Sequence, residues 1–279
     1  MRGNRVSKEN LGIDAVIAEW RSKHPRSQTR IRPSVLRTRK GKSGIFLLLL
    51  ASSTVALVFQ TGVLPVSGCG TGQDTPAVRR VALVDSLSVD MPNPSFVNDI
   101  STLASHAGYS IDYYPPERLS FSILTHLPQM GYSILVFRTH GVLGEPVVAT
   151  SMTYSSHTQL VAQLRGDLGR VQISQHQYFG IMPGFVSGEM CGRFPGTLVL
   201  GMGCSSLSSD GLAKAFVDKG ARSFVGWNGW VTQQHTDAVF AHLIKLLMSG
   251  ESVGQAIDNT METVGPDSST GSALIHYPS

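Results

Sequence analysis

TLVLGMGCSSLSSDGLAKAFVDKGARSFVGWNGWV, residues Thr197–Val231, is the stretch whose reading decides the fold. Leu198-Val199-Leu200 is a short apolar run of the kind that forms a buried strand, and a cysteine follows it closely. Ser205–Asp210 is a polar turn in which Ser209 or Asp210 can cap a helix. Leu212, Ala215 and Phe216 then recur at helical spacing as far as Lys219, where Gly220 ends the pattern. Ser223–Val225 opens a second apolar strand. Strand, helix and strand in this order form a β-α-β crossover, which joins parallel strands. Cys204 is thereby expected at the carboxyl end of a central strand, the edge where open α/β sheets hold ligands.

Upstream the same alternation repeats. Val81–Val84 is a buried-strand pattern ending at Asp85, and Phe96–Ala107 suits a helix with Phe96, Ile100, Leu103 and Ala104 on one face and Gly108 beyond its end. Tyr109–Tyr114 is the next strand, Pro115-Pro116 breaks the chain, and Leu119–Met130 is a weaker helix. Tyr132–Phe137 is a strand that runs into Arg138-Thr139-His140-Gly141. The expectation is a doubly wound α/β domain over residues 78–279, three layers αβα about a mainly parallel sheet.

Residues 142–196 form an insertion into this pattern. Val147–Tyr154 reads as a strand of a hairpin, His157–Leu168 as a helix, and Gln172–Pro195 as a Gly-rich irregular excursion containing Cys191. Long irregular segments at an active edge commonly serve as lids or substrate loops. After Val231 two helices are expected, Gln233–Met248 stopped by Gly250 and Ser252 to about Thr263. Gly265–Ser279 carries no pattern that assigns it.

Charge is unevenly distributed. Residues 1–43 hold twelve of the 23 Lys and Arg and three of the 19 acids, a net +9, whereas the remainder carries eleven bases and sixteen acids, a net −5. The basic balance thus belongs to a polar tail with one short amphipathic patch, Leu11–Trp20, and it precedes an apolar run rather than decorating a folded face. Nucleic acid is therefore not expected as a partner. From Ser43 to Gln73 no residue is charged, and Ile45–Phe59 is densely apolar. Residues 44–66 are long enough to span a bilayer as a helix, and their apolar core also has the length of a signal-peptide hydrophobic region. The preceding Lys and Arg orient the rest of the chain outward. Val66-Ser67-Gly68-Cys69 resembles the bacterial lipobox, which makes Cys69 a lipidation candidate, although the leader of residues 1–43 is long for a lipoprotein signal. Lipid anchor and uncleaved signal anchor both remain open. Either one tethers the domain outside the cytoplasm, beyond a short linker at 67–77.

Two reactive side chains are expected on the same edge. His140 and Cys204 each follow an apolar strand, and neighbouring parallel strands lie about 5 Å apart. A thiol and an imidazole so placed can act as nucleophile and general base or acid. The loop leading toward a helix N-terminus favours thiolate at Cys204. Gly141 and Gly203 allow close backbone approach, and the amides of Gly141 and Cys204 are the candidate oxyanion donors. A disulfide between Cys191 and Cys204 is the competing fate of this thiol outside the cytoplasm. The sequence has no CxxC or HExxH, so neither a metal nor another cofactor is expected.

A strand ending in His-Gly, a later strand ending in Gly-Cys-Ser, then helix, strand and a helical tail resemble the caspase-hemoglobinase fold of clan CD cysteine peptidases. That group includes caspases, metacaspases, legumain, clostripain, gingipains, separase and CHAT domains. The resemblance covers about Val78 to Ile257, and FVGWNGWVTQQHTDAVFAHLIKLLMSGESVGQAI (Phe224–Ile257) is similar to the end of a CHAT-type domain. It implies a cysteine endopeptidase acting on a peptide or protein substrate, with His140 and Cys204 as the catalytic dyad. It also nominates Asp85, Met202, Trp227 and Asn228 for the primary specificity pocket, with Asp85 favouring a basic residue if it points inward. The caspase motif Gln-Ala-Cys-Arg-Gly is here Met202-Gly203-Cys204-Ser205-Ser206, so aspartate specificity is not implied. His140 and Cys204 are 64 positions apart, against roughly 50 in caspases, consistent with the insertion. Activation by cleavage within the insertion, at Arg165, Arg170 or Arg193, is a further expectation.

Two other classes stay open. A thiol-dependent α/β-hydrolase would use a histidine after Cys204, with His235, His242 and His276 available, but Met202 and Ser206 occupy the glycine positions of its nucleophile elbow. The other is a non-catalytic module that keeps the sheet as a scaffold or binding surface.

Overall fold

A computed structural model describes residues 78–278 of the chain. Its centre is a six-stranded sheet of β1 (Val78–Asp85), β2 (Ser110–Tyr114), β3 (Tyr132–Arg138), β7 (Leu198–Gly201), β8 (Ser223–Trp227) and β9 (Leu274–Tyr277), in the order β2-β1-β3-β7-β8-β9. All neighbours pair in parallel except β8 and β9, which are antiparallel. β1, β3, β7 and β8 are nearly continuous runs of Val, Leu, Ile and Phe, as strands covered on both faces must be.

Alternation along each strand divides the core in two. Val81 and Leu83 of β1, Ile134 and Val136 of β3 and Leu198 and Leu200 of β7 face one side. There they meet Phe96 and Ile100 of α1 (Pro94–His106), Val239, Phe240, Leu243 and Ile244 of α5 (Gln233–Met248), and Ala256 and Ile257 of α6 (Val253–Thr263). Ala82 and Val84, Leu135 and Phe137, and Val199 face the other side, against Leu124 of α2 (Phe121–His126) and Leu212 and Phe216 of α4 (Gly211–Asp218). The molecule is a mixed α/β fold about a mainly parallel sheet, compatible with a three-layer sandwich. α1 starts where the sequence allows it: Asn93 accepts from the Phe96 amide and Pro94 occupies the first turn.

The insertion departs from its expected irregularity. β4 (Val148–Thr153), β5 (Leu168–Ile173) and β6 (His176–Ile181) form a separate antiparallel sheet in the order β4-β6-β5, so the segment from Gln172 contains a tight hairpin. The helix expected over His157–Leu168 shrinks to α3 (Leu160–Arg165), because Gly166 takes a left-handed φ of 76° and Leu168 is already paired in β5. Val148, Leu168, Phe179, Ile181 and Phe185 join the core on the α2 and α4 side, which makes this sheet an integral layer. Arg165 closes α3 and Arg170 lies within β5, whereas Arg193 sits in the irregular approach to β7. The unassigned tail contains β9. Among the described residues no helix is long and apolar enough to cross a membrane, and the membrane segment expected at 44–66 lies outside them.

Candidate active site

β3 and β7 pair in register, with Phe137 opposite Gly201, and His140 and Cys204 each lie three residues beyond that pair. The two strand ends then touch backbone to backbone. A Cβ at Gly141 would overlap the Cys204 carbonyl, and one at Gly203 would stand 2.9 Å from both Gly141 N and Thr139 O. Only glycine fits at either position. Among the described residues neither the Gly141 nor the Cys204 amide donates to a backbone carbonyl.

His140 has a partner that the sequence pattern did not single out. Its Nε2 lies 3.0 Å and 3.1 Å from the two carboxylate oxygens of Asp90, on the segment between β1 and α1. With Nε2–H donating to that carboxylate, the neutral ring carries its lone pair on Nδ1. The imidazole is part-exposed.

Cys204 is in a different state from the one expected of it. Its Sγ donates to the Val231 carbonyl at 3.3 Å, and burial pushes the thiol up from its ordinary value. The first turn of α4 begins only at Gly211, beyond the turn at Ser205–Asp210, so no helix terminus adjoins the sulfur. The residue after it, Ser205, holds a left-handed φ of 55° with its buried Oγ unpartnered among the described residues, and its amide donates to Gly229 O at 2.7 Å. That bond and the Cys204–Val231 bond pin the cysteine turn to the chain following β8.

The pocket candidates separate. Asp85 is fully buried: Arg138 Nη1 donates to it at 2.8 Å, and Ser88 and Tyr113 donate to its other oxygen. Arg138, equally buried, also forks onto Asp237 through Nε and Nη2 at 2.8 Å and 2.9 Å. Burial by itself would lower the guanidinium pKa, but the bonds to Asp237 and Asp85 outweigh it and hold the group above its ordinary value. The expected inward-pointing acid is therefore an internal ion-pair partner, because Arg138 follows the same strand alternation into the interior. Met202 and Trp227 are also buried, the indole donating to Thr236 Oγ1 at 2.9 Å. Asn228 is exposed, and its Oδ1 accepts from the Ala273 amide. Trp230, half-exposed, lies in the chain between the residues whose carbonyls receive Ser205 N and Cys204 Sγ. A tryptophan inside a strand covered on both faces belongs to the core, and the one past its end is the better surface candidate. That distinction was available in the sequence.

Of the later histidines, His235 bonds to Gly265 O and His242 to Thr260, while His276 lies in β9 opposite Val225 with its buried Nδ1 unpartnered among the described residues. Cys191 is disulfide-bonded and Cys204 is free, so the Cys191–Cys204 bridge does not form. The lipidation candidate Cys69 lies outside the described residues. Among the described residues no cluster of three His, Cys, Asp or Glu side chains is placed to hold a metal ion. Comparison of the sequence with protein-family models gives no match, and comparison with curated proteins gives no relative.

Proposed function

We propose that the domain is a cysteine endopeptidase of the caspase-hemoglobinase type, with Cys204 as nucleophile, His140 as general base and acid, and Asp90 orienting the imidazole. The observation that carries this reading is the backbone contact of Thr139–Gly141 with Gly203–Cys204, which puts the residues bearing the imidazole and the thiol on adjoining strand ends. When a peptide carbonyl arrives, Cys204 leaves the Val231 carbonyl, passes its proton to His140 Nδ1 and bonds to the carbonyl carbon. The oxyanion lies between the Gly141 and Cys204 amides. His140 returns the proton to the amide nitrogen, the C–N bond breaks, and a thioester remains on Cys204. Water, deprotonated by His140, then hydrolyses it and restores the thiol.

A second reading, a non-catalytic caspase-like module, draws on one observation: the resting thiol is held neutral and donates to Val231 rather than to the imidazole. Intact-mass measurement with peptidyl acyloxymethyl ketones of varied sequence separates the two. The peptidase reading requires one adduct, on Cys204, slowed strongly in His140→Ala. A chain that takes no adduct from any of them, with Cys204 still open to iodoacetamide, belongs to the second class. The tether outside the cytoplasm belongs to this proposal as well, and the disulfide at Cys191 supports an oxidising compartment.

A further inference from the structure

A cleft of about 660 Å³ opens on the same sheet edge, between the segment that follows β1, the start of α1 and the Pro115-Pro116 break after β2. Val89, Pro94, Val97, Tyr113 and Pro116 give it apolar walls, and Glu117 is the one charged side chain lining it. Val89, 44% exposed, is the neighbour of Asp90 in the chain.

The strand order decides what this cleft can hold. Along the edge the sequence of positions is Cys204 on β7, His140 on β3, Asp90 after β1, and then the cleft between the β1 and β2 ends. The acyl half of a substrate stays on Cys204, and the leaving amine takes its proton from His140, so the leaving half extends from β3 toward β1 and β2. Two to three strand spacings are roughly 10–15 Å, the length of three or four residues of extended chain. Resting on the peptidase reading, we propose that the cleft is the subsite for substrate residues two to four positions past the scissile bond. Its walls suit an apolar side chain, and Glu117, exposed and of opposite sign, suits a neighbouring Lys or Arg.

The test uses two substrates that share their acyl half: an internally quenched peptide with an apolar residue followed by Lys past the scissile bond, and an aminocoumarin amide with nothing there. Glu117→Lys, on the surface, and Val97→Gln, in the cleft wall, are each expected to lower kcat/KM for the peptide about fivefold while leaving the coumarin amide within twofold. Equal effects on both substrates, or none on either, overturn the assignment even if turnover is normal. Should the wild type turn over neither substrate, the peptidase reading fails. Anisotropy titration of the labelled peptide onto Cys204→Ala then decides the cleft separately: loss of binding in Cys204→Ala/Glu117→Lys retains it as a peptide site, and unchanged binding removes it.

Discussion

His140 and Asp90, fifty residues apart in the chain, meet at 3.0 Å on the carboxyl edge of the sheet, with the imidazole Nε2 directed at the carboxylate. The contact fixes which ring nitrogen faces away from Asp90, and thereby which one would take the proton of Cys204 in the proposed reaction. Asp90→Asn can hold the same nitrogen through its amide nitrogen, which donates rather than accepts, and so favours the wrong tautomer. Steady-state peptide hydrolysis by Asp90→Asn is expected to fall about 10²-fold in kcat with little change in KM. An unchanged kcat would make Asp90 a bystander.

Burial of the Cys204 thiol raises its pKa above the ordinary value and outweighs the backbone hydrogen bond at Val231, which acts the other way, so the sulfur stays protonated at neutral pH. The rate of alkylation by iodoacetamide is therefore expected to climb with pH through and beyond the ordinary thiol value of about 8.5 without levelling there. Because the imidazole is not the resting partner of the sulfur, His140→Ala should leave this profile nearly in place while abolishing peptide turnover. A plateau below pH 7 in the wild type would mean a preformed thiolate.

Gly141 and Gly203 sit where the two strand ends press together, and neither has room for a methyl group. Gly141→Ala is expected to cost about 2–3 kcal/mol, read as a thermal midpoint lower by about 5–10 °C, together with loss of activity from the displaced oxyanion amide. Wild-type stability in this variant would contradict the close contact of the two strand ends.

Arg138 binds two buried carboxylates from opposite sides, Asp85 at the end of β1 and Asp237 in α5, and its Nη2 also donates to Met91 O at 3.1 Å on the segment that carries Asp90. Removing the cation strands both acids. Arg138→Ala is expected to lose about 3–5 kcal/mol in urea unfolding, and Asp85→Asn much less, since Arg138 keeps Asp237.

Asp267 receives the Thr232 amide and hydroxyl at the start of α5, and the Ser269 and Thr270 amides on its other oxygen. Burial tends to raise this carboxyl, but those donors outweigh it and hold its pKa below the ordinary value. A depressed folded value means that the stabilisation is complete above the unfolded pKa of about 3.9 and is lost as pH falls through the folded one. Asp267→Asn is thus expected to be less stable than wild type at pH 7, with the difference shrinking as pH falls below the ordinary carboxyl range. A constant difference down to pH 2 would assign the loss to something other than the charge.

The parallel strands were legible because burial on both faces leaves uninterrupted runs such as Ile134–Phe137 and Leu198–Leu200. β5 and β6 were not: Gln172-Ile173-Ser174-Gln175-His176-Gln177 is polar, and its turn uses Ser174 at a left-handed φ of 53° instead of glycine. β9 is a four-residue antiparallel edge whose pattern is too short to read. In the candidate site, the juxtaposition of His140, Cys204 and their glycines was legible because each follows an apolar strand. Asp90 could not, since an acid in a Pro- and Asn-rich loop reveals its partner only when β1 is placed beside β3. Asp85 misled for a related reason, as its neutralisation by Arg138 depends on the same pairing.

Hydrolysis of a peptide library by the wild-type domain, beside Cys204→Ala and His140→Ala shown to be folded by their thermal midpoints, is the most direct test of the central claim. Cleavage by the wild type is expected, with cleavage at background in both variants. Wild-type cleavage that survives in either folded variant, or no cleavage of any peptide by an alkylatable wild type, would contradict it.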